Sequence, residues 1–189
     1  MHRLLVINPG STSTKVAVFE DEQPLFVETL RHSSQDLAAF PHVLDQYEFR
    51  LQSILELLRS RGIAMSSLAA VVARGGLLRP IAGGTYSVNS KMVEELSRRD
   101  AEREHASGLG APLADEIASL VGISAYIVDP VCVDEFDELA RVSGLPEIER
   151  RSLSHALNLK AVARRAAEEL SRPYGELCLV ITHMGGGIS

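Results

Sequence analysis

The stretch Asn8-Pro9-Gly10-Ser11-Thr12-Ser13-Thr14-Lys15 crowds four hydroxyls, an amide and an ammonium into one short turn. Hydroxyl and backbone N–H donors at that density can wrap a phosphate, and Lys15 adds positive charge. An ordinary solvated turn is the commoner fate of such a stretch taken alone. It is not a Walker A loop, because the spaced glycines and the Gly-Lys pair are missing. Asn8 raises the phosphate reading: it ends an apolar run, where an apolar residue costs less unless a polar task is waiting. A second glycine turn, His183-Met184-Gly185-Gly186-Gly187, ends another apolar run at Leu177–Ile181.

Three further positions carry chemistry. Arg74 follows the apolar run Leu68–Ala73 and precedes Gly75-Gly76. Ligands of open α/β sheets bind beyond the carboxyl ends of the strands, which favours a binding role over a surface arginine. His105, before Ala106-Ser107-Gly108, can donate to a phosphoryl oxygen or simply cap a turn. Asp129 ends the run Ile123–Val128 ahead of Pro130; it can hold a metal, orient a nucleophile or cap a turn. These residues alone leave the alternatives open. Arg150 and Arg151 read as solvated cations.

Elements must position these groups. Leu4–Ile7, Val16–Phe19 and Leu25–Leu30 are short β-rich runs joined by turns, which predicts an antiparallel meander. Ser33, Ser34 and Asp36 open a helical region. Leu44, Tyr47, Leu51, Ile54 and Leu58 recur at helical spacing up to Gly62. Leu68–Ala73 is apolar throughout, as a parallel strand covered on both faces would be. Ile81–Val88 reads as a hairpin segment, with helices expected from Ser90 to about Ala101 and over Gly110–Leu120. Ile123–Val128 is the next strand. Asp134, Glu135, Asp137 and Glu138 read as a solvated helix start. A short helix is expected over Leu139–Gly144. Ser154 is the expected N-cap of a helix burying Leu159, Val162, Ala163, Ala166 and Leu170, and Leu177–Thr182 is expected to be a last strand. The sum is one α/β domain with a mixed sheet flanked by helices.

Composition narrows the class. At 189 residues and 46% hydrophobic content the chain can bury a sizeable core, and its net charge of −6 argues against a nucleic-acid surface. With 5% aromatics and no Trp, base-stacking platforms are not expected. Cys132 and Cys178 match no metal or redox spacing and are expected to be reduced. No apolar run approaches the roughly 18 residues that span a bilayer. The chain enters a strand at once, leaving no room for a secretion signal. A cytoplasmic, globular protein is expected.

Two phosphate turns on strand ends are the arrangement of the actin-like nucleotide-binding fold, which is ribonuclease H-like. Ile7-Asn8-Pro9-Gly10-Ser11-Thr12-Ser13-Thr14-Lys15 closely resembles the signature of the acetate and butyrate kinases, and its proline variant is most similar to butyrate kinase. Gly75-Gly76-Leu77-Leu78 points the same way, since acetate kinases carry an acidic residue after these glycines.

The resemblance implies phosphoryl transfer between ATP and a short-chain carboxylate such as butyrate, giving an acyl phosphate and ADP with Mg2+. Acetate, propionate and branched acids are the alternative acceptors. It places Asn8, Gly10, Ser11, Thr12, Ser13 and Lys15 near the transferred phosphoryl group. His183, Gly185, Gly186 and Gly187 fall at the nucleotide phosphates, His105 at a phosphoryl-stabilising histidine, and Asp129 at an acid that orients the carboxylate or holds magnesium. The pattern departs in two places. Acetate kinases have a His before the paired glycines, so Arg74 as carboxylate clamp is an inference about role. Where they have two histidines four apart, this chain has Arg151 and His155, which leaves Arg151 to supply the charge. Residues 1–189 are expected to be the N-terminal domain of a longer, homo-oligomeric kinase. It would lack the second, adenosine-holding domain and stop inside the second phosphate motif. A non-catalytic module binding phosphate or acyl phosphate, or an assembly partner, is the rival expectation.

Overall fold

Arg3–Pro9 (β1) and Gln23–Arg31 (β3), with alternating exposure, flank Ser13–Glu20 (β2), whose Val16, Ala17 and Val18 are all buried, and the three strands form an antiparallel meander. The computed structural model describes residues 1–98 and 105–184. Ala70–Arg74 (β4) lies parallel to β1, Ser124–Val128 (β6) parallel to β4, and the three-residue Thr85–Ser87 (β5) antiparallel to β6. The order across this mixed sheet is β3-β2-β1-β4-β6-β5.

The chain divides into two compact units. The first comprises Met1–Leu78 and Gly84–Val128 and holds the whole sheet; the second comprises Arg79–Gly83 and the chain from Asp129. In the first unit, Leu5 and Ile7 of β1, Val16 and Val18 of β2 and Val71 of β4 are buried in one core. Helix Tyr47–Ser60 (α2) covers it with Leu51, Ile54 and Leu58, and helix Gly110–Ser119 (α4) with Leu113 and Ile117. Each such aliphatic side chain contributes about 1.5–3 kcal/mol on burial. Helix Ser34–Ala38 (α1) starts in a capping box between Ser33 and Asp36. Helix Ser90–Leu96 (α3) starts at Asn89, whose side chain accepts from Met92 N–H at 3.0 Å. Gly62 ends the α2 region at φ +67, a conformation that costs other residues a Cβ clash.

In the second unit Ile81 bridges Val133 in parallel, and helix Ala156–Glu169 (α5) buries Ala156, Ala163 and Ala167. Several expectations are corrected here. Leu177–Thr182 pairs with no strand among the described residues; extended backbone without a ladder partner is not a strand, and Val180 is exposed. Ile81–Val88 is not a hairpin segment, because Ile81 bonds Cys132 and Asp134 while only Thr85–Ser87 joins the sheet. The acidic run begins no α-helix. Asp134 accepts both Arg141 Nη1 and Nη2 at 2.9 and 3.1 Å, and those bonds hold its carboxyl below the usual range. Leu139–Gly144 shortens to a 3-10 turn over Leu139–Arg141. The N-cap of α5 is His155 rather than Ser154, whose N–H is drawn to the Val131 carbonyl. Val162 and Leu170 are exposed, so small alanines make the buried stripe. The helix from Ser90 closes at Leu96, and Ala101 lies outside the described residues. Cys132 and Cys178 are free thiols, the first buried and the second exposed.

Candidate active site

Register brings the cations together. Asn8 of β1 stands opposite Lys15 of β2, and cross-strand partners share a face of the sheet. On the other side of β1 the last paired residues are Ile7 and Ala73, so Arg74 lies one step further along β4, beside Asn8. Ile7, Val16 and Ala73 point into the core beneath α2 and α4. Period-2 alternation therefore turns Lys15, Asn8 and Arg74 to the opposite face, at the carboxyl end of the two parallel strands. Arg74 is half-buried, meets no acceptor among the described residues, and burial holds its guanidinium below the ordinary range.

The turn from β1 to β2 is closed by Gly10 N–H to the Ser13 carbonyl at 2.7 Å. Behind it lies Arg50 of α2, fully buried. Its guanidinium donates to the carbonyls of Ser11 and Ser13 at 3.2 and 3.0 Å and to Thr14 Oγ1 at 2.9 Å. It also donates twice to Gln46 Oε1, at 3.0 and 2.8 Å. Thr14 Oγ1 is 2.9 Å from His32 Nε2, and the His32 N–H reaches the Thr12 carbonyl at 3.0 Å. On the outer side, Asn8, Ser11, Thr12 and Lys15 are exposed. Among the described residues the N–H groups of Ser11 and Thr12 meet no acceptor. The turn thus presents uncommitted donors outward from a fixed rear face, which is what an anion cradle requires.

Glycines bring His105 to this end of the sheet. A Cβ on Gly76 would stand 2.7 Å from Gly108 Cα, and one on Gly110 would strike the Arg74 carbonyl. Only bare backbone lets the strand exit and the His105 loop touch. His105 Nδ1 accepts the Ser107 N–H at 3.1 Å, with Ser107 Oγ at 2.8 Å. His105 is exposed at the surface, yet the protein packed against its ring lowers its pKa, and the Arg74 charge lowers it further.

The remaining candidates belong to the second unit. Asp129 directly follows β6, is buried, and has φ +37. Lys160 Nζ lies 3.6 Å from Asp129 Oδ1 and 2.9 Å from Glu135 Oε1, which also accepts Gly83 N–H at 2.9 Å. Arg151 is exposed. His183 Nδ1 lies 3.0 Å from Asn158 Oδ1, and its ring stacks on His155 at 4.0 Å between centroids. Gly185, Gly186 and Gly187 lie outside the described residues. Among the described residues no three His, Cys, Asp or Glu side chains cluster as a metal site. Magnesium that travels with a nucleotide takes most of its ligands from phosphate and water and asks for one or two protein carboxylates. Asp129 offers one, buried and facing the Lys160 ammonium.

Sequence reasoning missed Arg50, Lys160 and Glu135. Arg50 carries a readable signal: it lies three residues after Tyr47 and four before Ile54, a cation on the apolar stripe of α2. Glu135 carries none, being one acid in an acidic run, and Lys160 carries none because a lone lysine on an amphipathic helix reads as solvated.

No protein-family model matches the chain. It is 54% identical over 187 residues to Butyrate kinase 2 of Clostridium acetobutylicum, a match covering 99% of this chain and 52% of that relative. Acetate kinase of Porphyromonas gingivalis superposes over the whole chain with a TM-score of 0.69 at 18% identity, and 54% of it is covered. A propionate kinase from Francisella tularensis gives 0.66 at 16% identity, with 53% covered. At such identities the superpositions speak for the fold alone. The chain is thus similar in sequence to a butyrate kinase and shares the fold of the acetate and propionate kinases, and it spans about half the length of the relatives it matches.

Proposed function

We propose that residues 1–189 are the N-terminal domain of an ATP-dependent carboxylate kinase of the cytoplasm, homo-oligomeric at full length, that converts ATP and butyrate to butyryl phosphate and ADP. The observation that carries the reading is the row Lys15, Asn8, Arg74, beside a turn of outward donors at the carboxyl end of β1 and β4. A carboxylate is already a nucleophile, so the reaction needs positioning and charge neutralisation rather than a base. Arg74 clamps the acid. A carboxylate oxygen bonds to the γ-phosphorus in line as the bond to the bridging oxygen breaks, and ADP leaves with that electron pair. Asn8, Lys15 and the Gly10, Ser11, Thr12 and Ser13 groups hold the transferred phosphoryl oxygens. His105 donates to one of them through Nε2–H, the nitrogen that Ser107 leaves protonated. Arg151 adds charge, and His183 with Gly185, Gly186 and Gly187 contacts the nucleotide phosphates. Asp129 would hold magnesium, which supplies charge neutralisation at the phosphates when bound.

The test is hydroxamate trapping with ATP, magnesium and a series of straight and branched acids. The native gene product that carries this chain should form acyl hydroxamate best with butyrate, and the 189-residue chain should form little. No hydroxamate from a native gene product that binds acyl phosphate would replace the kinase with a binding module. A better acid in the series would replace butyrate.

A further inference from the structure

We propose that Arg50 is the positioning residue of the phosphate turn, holding Ser11–Thr14 from behind so that their remaining donors face outward. The proposal rests on reading that turn as a phosphate site, and it adds a residue that touches no substrate. A guanidinium has five N–H donors. Arg50 makes five hydrogen bonds, three to the turn and two to Gln46, so its whole fork is committed. Drawing the Ser11 carbonyl inward directs the Thr12 N–H the other way, because the two groups are antiparallel in a trans peptide.

Stability alone is a poor account of this side chain. It is fully buried, and no carboxylate pairs with it among the described residues. Burying such a charge is expensive, and an apolar residue of similar volume would cost less. What an apolar residue cannot do is hold two carbonyls and a hydroxyl in a planar fork. Lysine cannot do it either, although it keeps the charge.

The experiment follows the backbone amides of the labelled 189-residue chain by NMR while inorganic phosphate is added. Wild type should show saturable shifts at Ser11 and Thr12. Arg50→Lys should displace those amides before phosphate is added and weaken phosphate binding by roughly tenfold or more, the equivalent of one charge-assisted hydrogen bond. Unmoved turn amides with unchanged phosphate affinity in Arg50→Lys would overturn the proposal. If wild type takes up no phosphate, the phosphate reading of the turn falls. The positioning claim is then decided by the turn amides alone, displaced in Arg50→Lys or not. If Arg50→Lys does not fold, Thr14→Val is read in the same way, with Thr14→Ser expected to restore both the amide positions and the affinity. Failure of that rescue would count against the proposal.

Discussion

The ring of His105 accepts a hydrogen bond at Nδ1 from the Ser107 N–H, 3.1 Å away. A backbone amide can only donate, so Nδ1 carries no proton and the neutral ring holds its hydrogen on Nε2. Burial and the neighbouring Arg74 charge both disfavour the imidazolium. His105 therefore meets a phosphoryl group as a neutral donor. Nitrogen-15 NMR of the chain at neutral pH should show the Nε2–H tautomer, titrating below the ordinary 6.5. Arg74→Met should raise that midpoint. A midpoint at or above 6.5 in wild type would refute the assignment.

Acid should weaken the fold in a window set by its histidines. Burial, reinforced by Arg50 and partly opposed by Asp36, lowers the pKa of His32 from 6.5. His105 is lowered as well. With folded values depressed, the unfolded chain binds protons first as pH drops below 6.5, so stability is full above that value and declines beneath it. The decline levels off below the folded values. Thermal midpoints should therefore fall between about pH 7.5 and pH 5.5, and His32→Gln should flatten the slope without abolishing it. A midpoint that rises on acidification would contradict this account.

Alanine at Gly76 or Gly110 should be costly for a residue so small. The added methyl would meet backbone at Gly108 or at the Arg74 carbonyl, and backbone cannot rotate away. Overpacking of this kind costs about 1–3 kcal/mol. Urea unfolding should show that loss, with phosphate shifts at the His105 loop reduced in parallel. Wild-type stability in both variants would mean that the loop is not pinned against β4.

Arg74→Ala in the native gene product should raise the KM for the carboxylate by roughly 10- to 100-fold and change that for ATP little, since a bidentate charge-assisted pair is lost on one substrate only. Equal effects on both substrates would move Arg74 from the acid to the phosphoryl group.

Much of the scaffold was legible because it follows from periodicity. The meander, the apolar β4 and the 3.6-residue stripe of α2 all appear where their patterns put them. Leu177–Thr182 reads as a strand for the same reason, but pairing depends on a neighbour that propensity does not supply. The acidic run misleads because Asp134 is taken by Arg141, beyond one helical turn, and Glu135 by Lys160, distant in sequence. At the candidate site the residue types were legible and their assembly was not. Nothing in the sequence states that Ile7 pairs with Ala73, yet that pairing sets Arg74 beside Asn8. Arg50 was overlooked because a charge within an amphipathic pattern is discounted as noise.

The pairing of β1 with β4 carries a safeguard of its own. Sliding β4 by one residue would exchange Ala73 for Arg74 beneath α2 and α4, driving a guanidinium into the aliphatic layer and Ala73 out to the binding face. A misaligned molecule would thus be penalised by its own interior before any substrate arrived. The arginine that completes the cation row also proofreads the assembly of the sheet, and chains that fold stably are already aligned for binding.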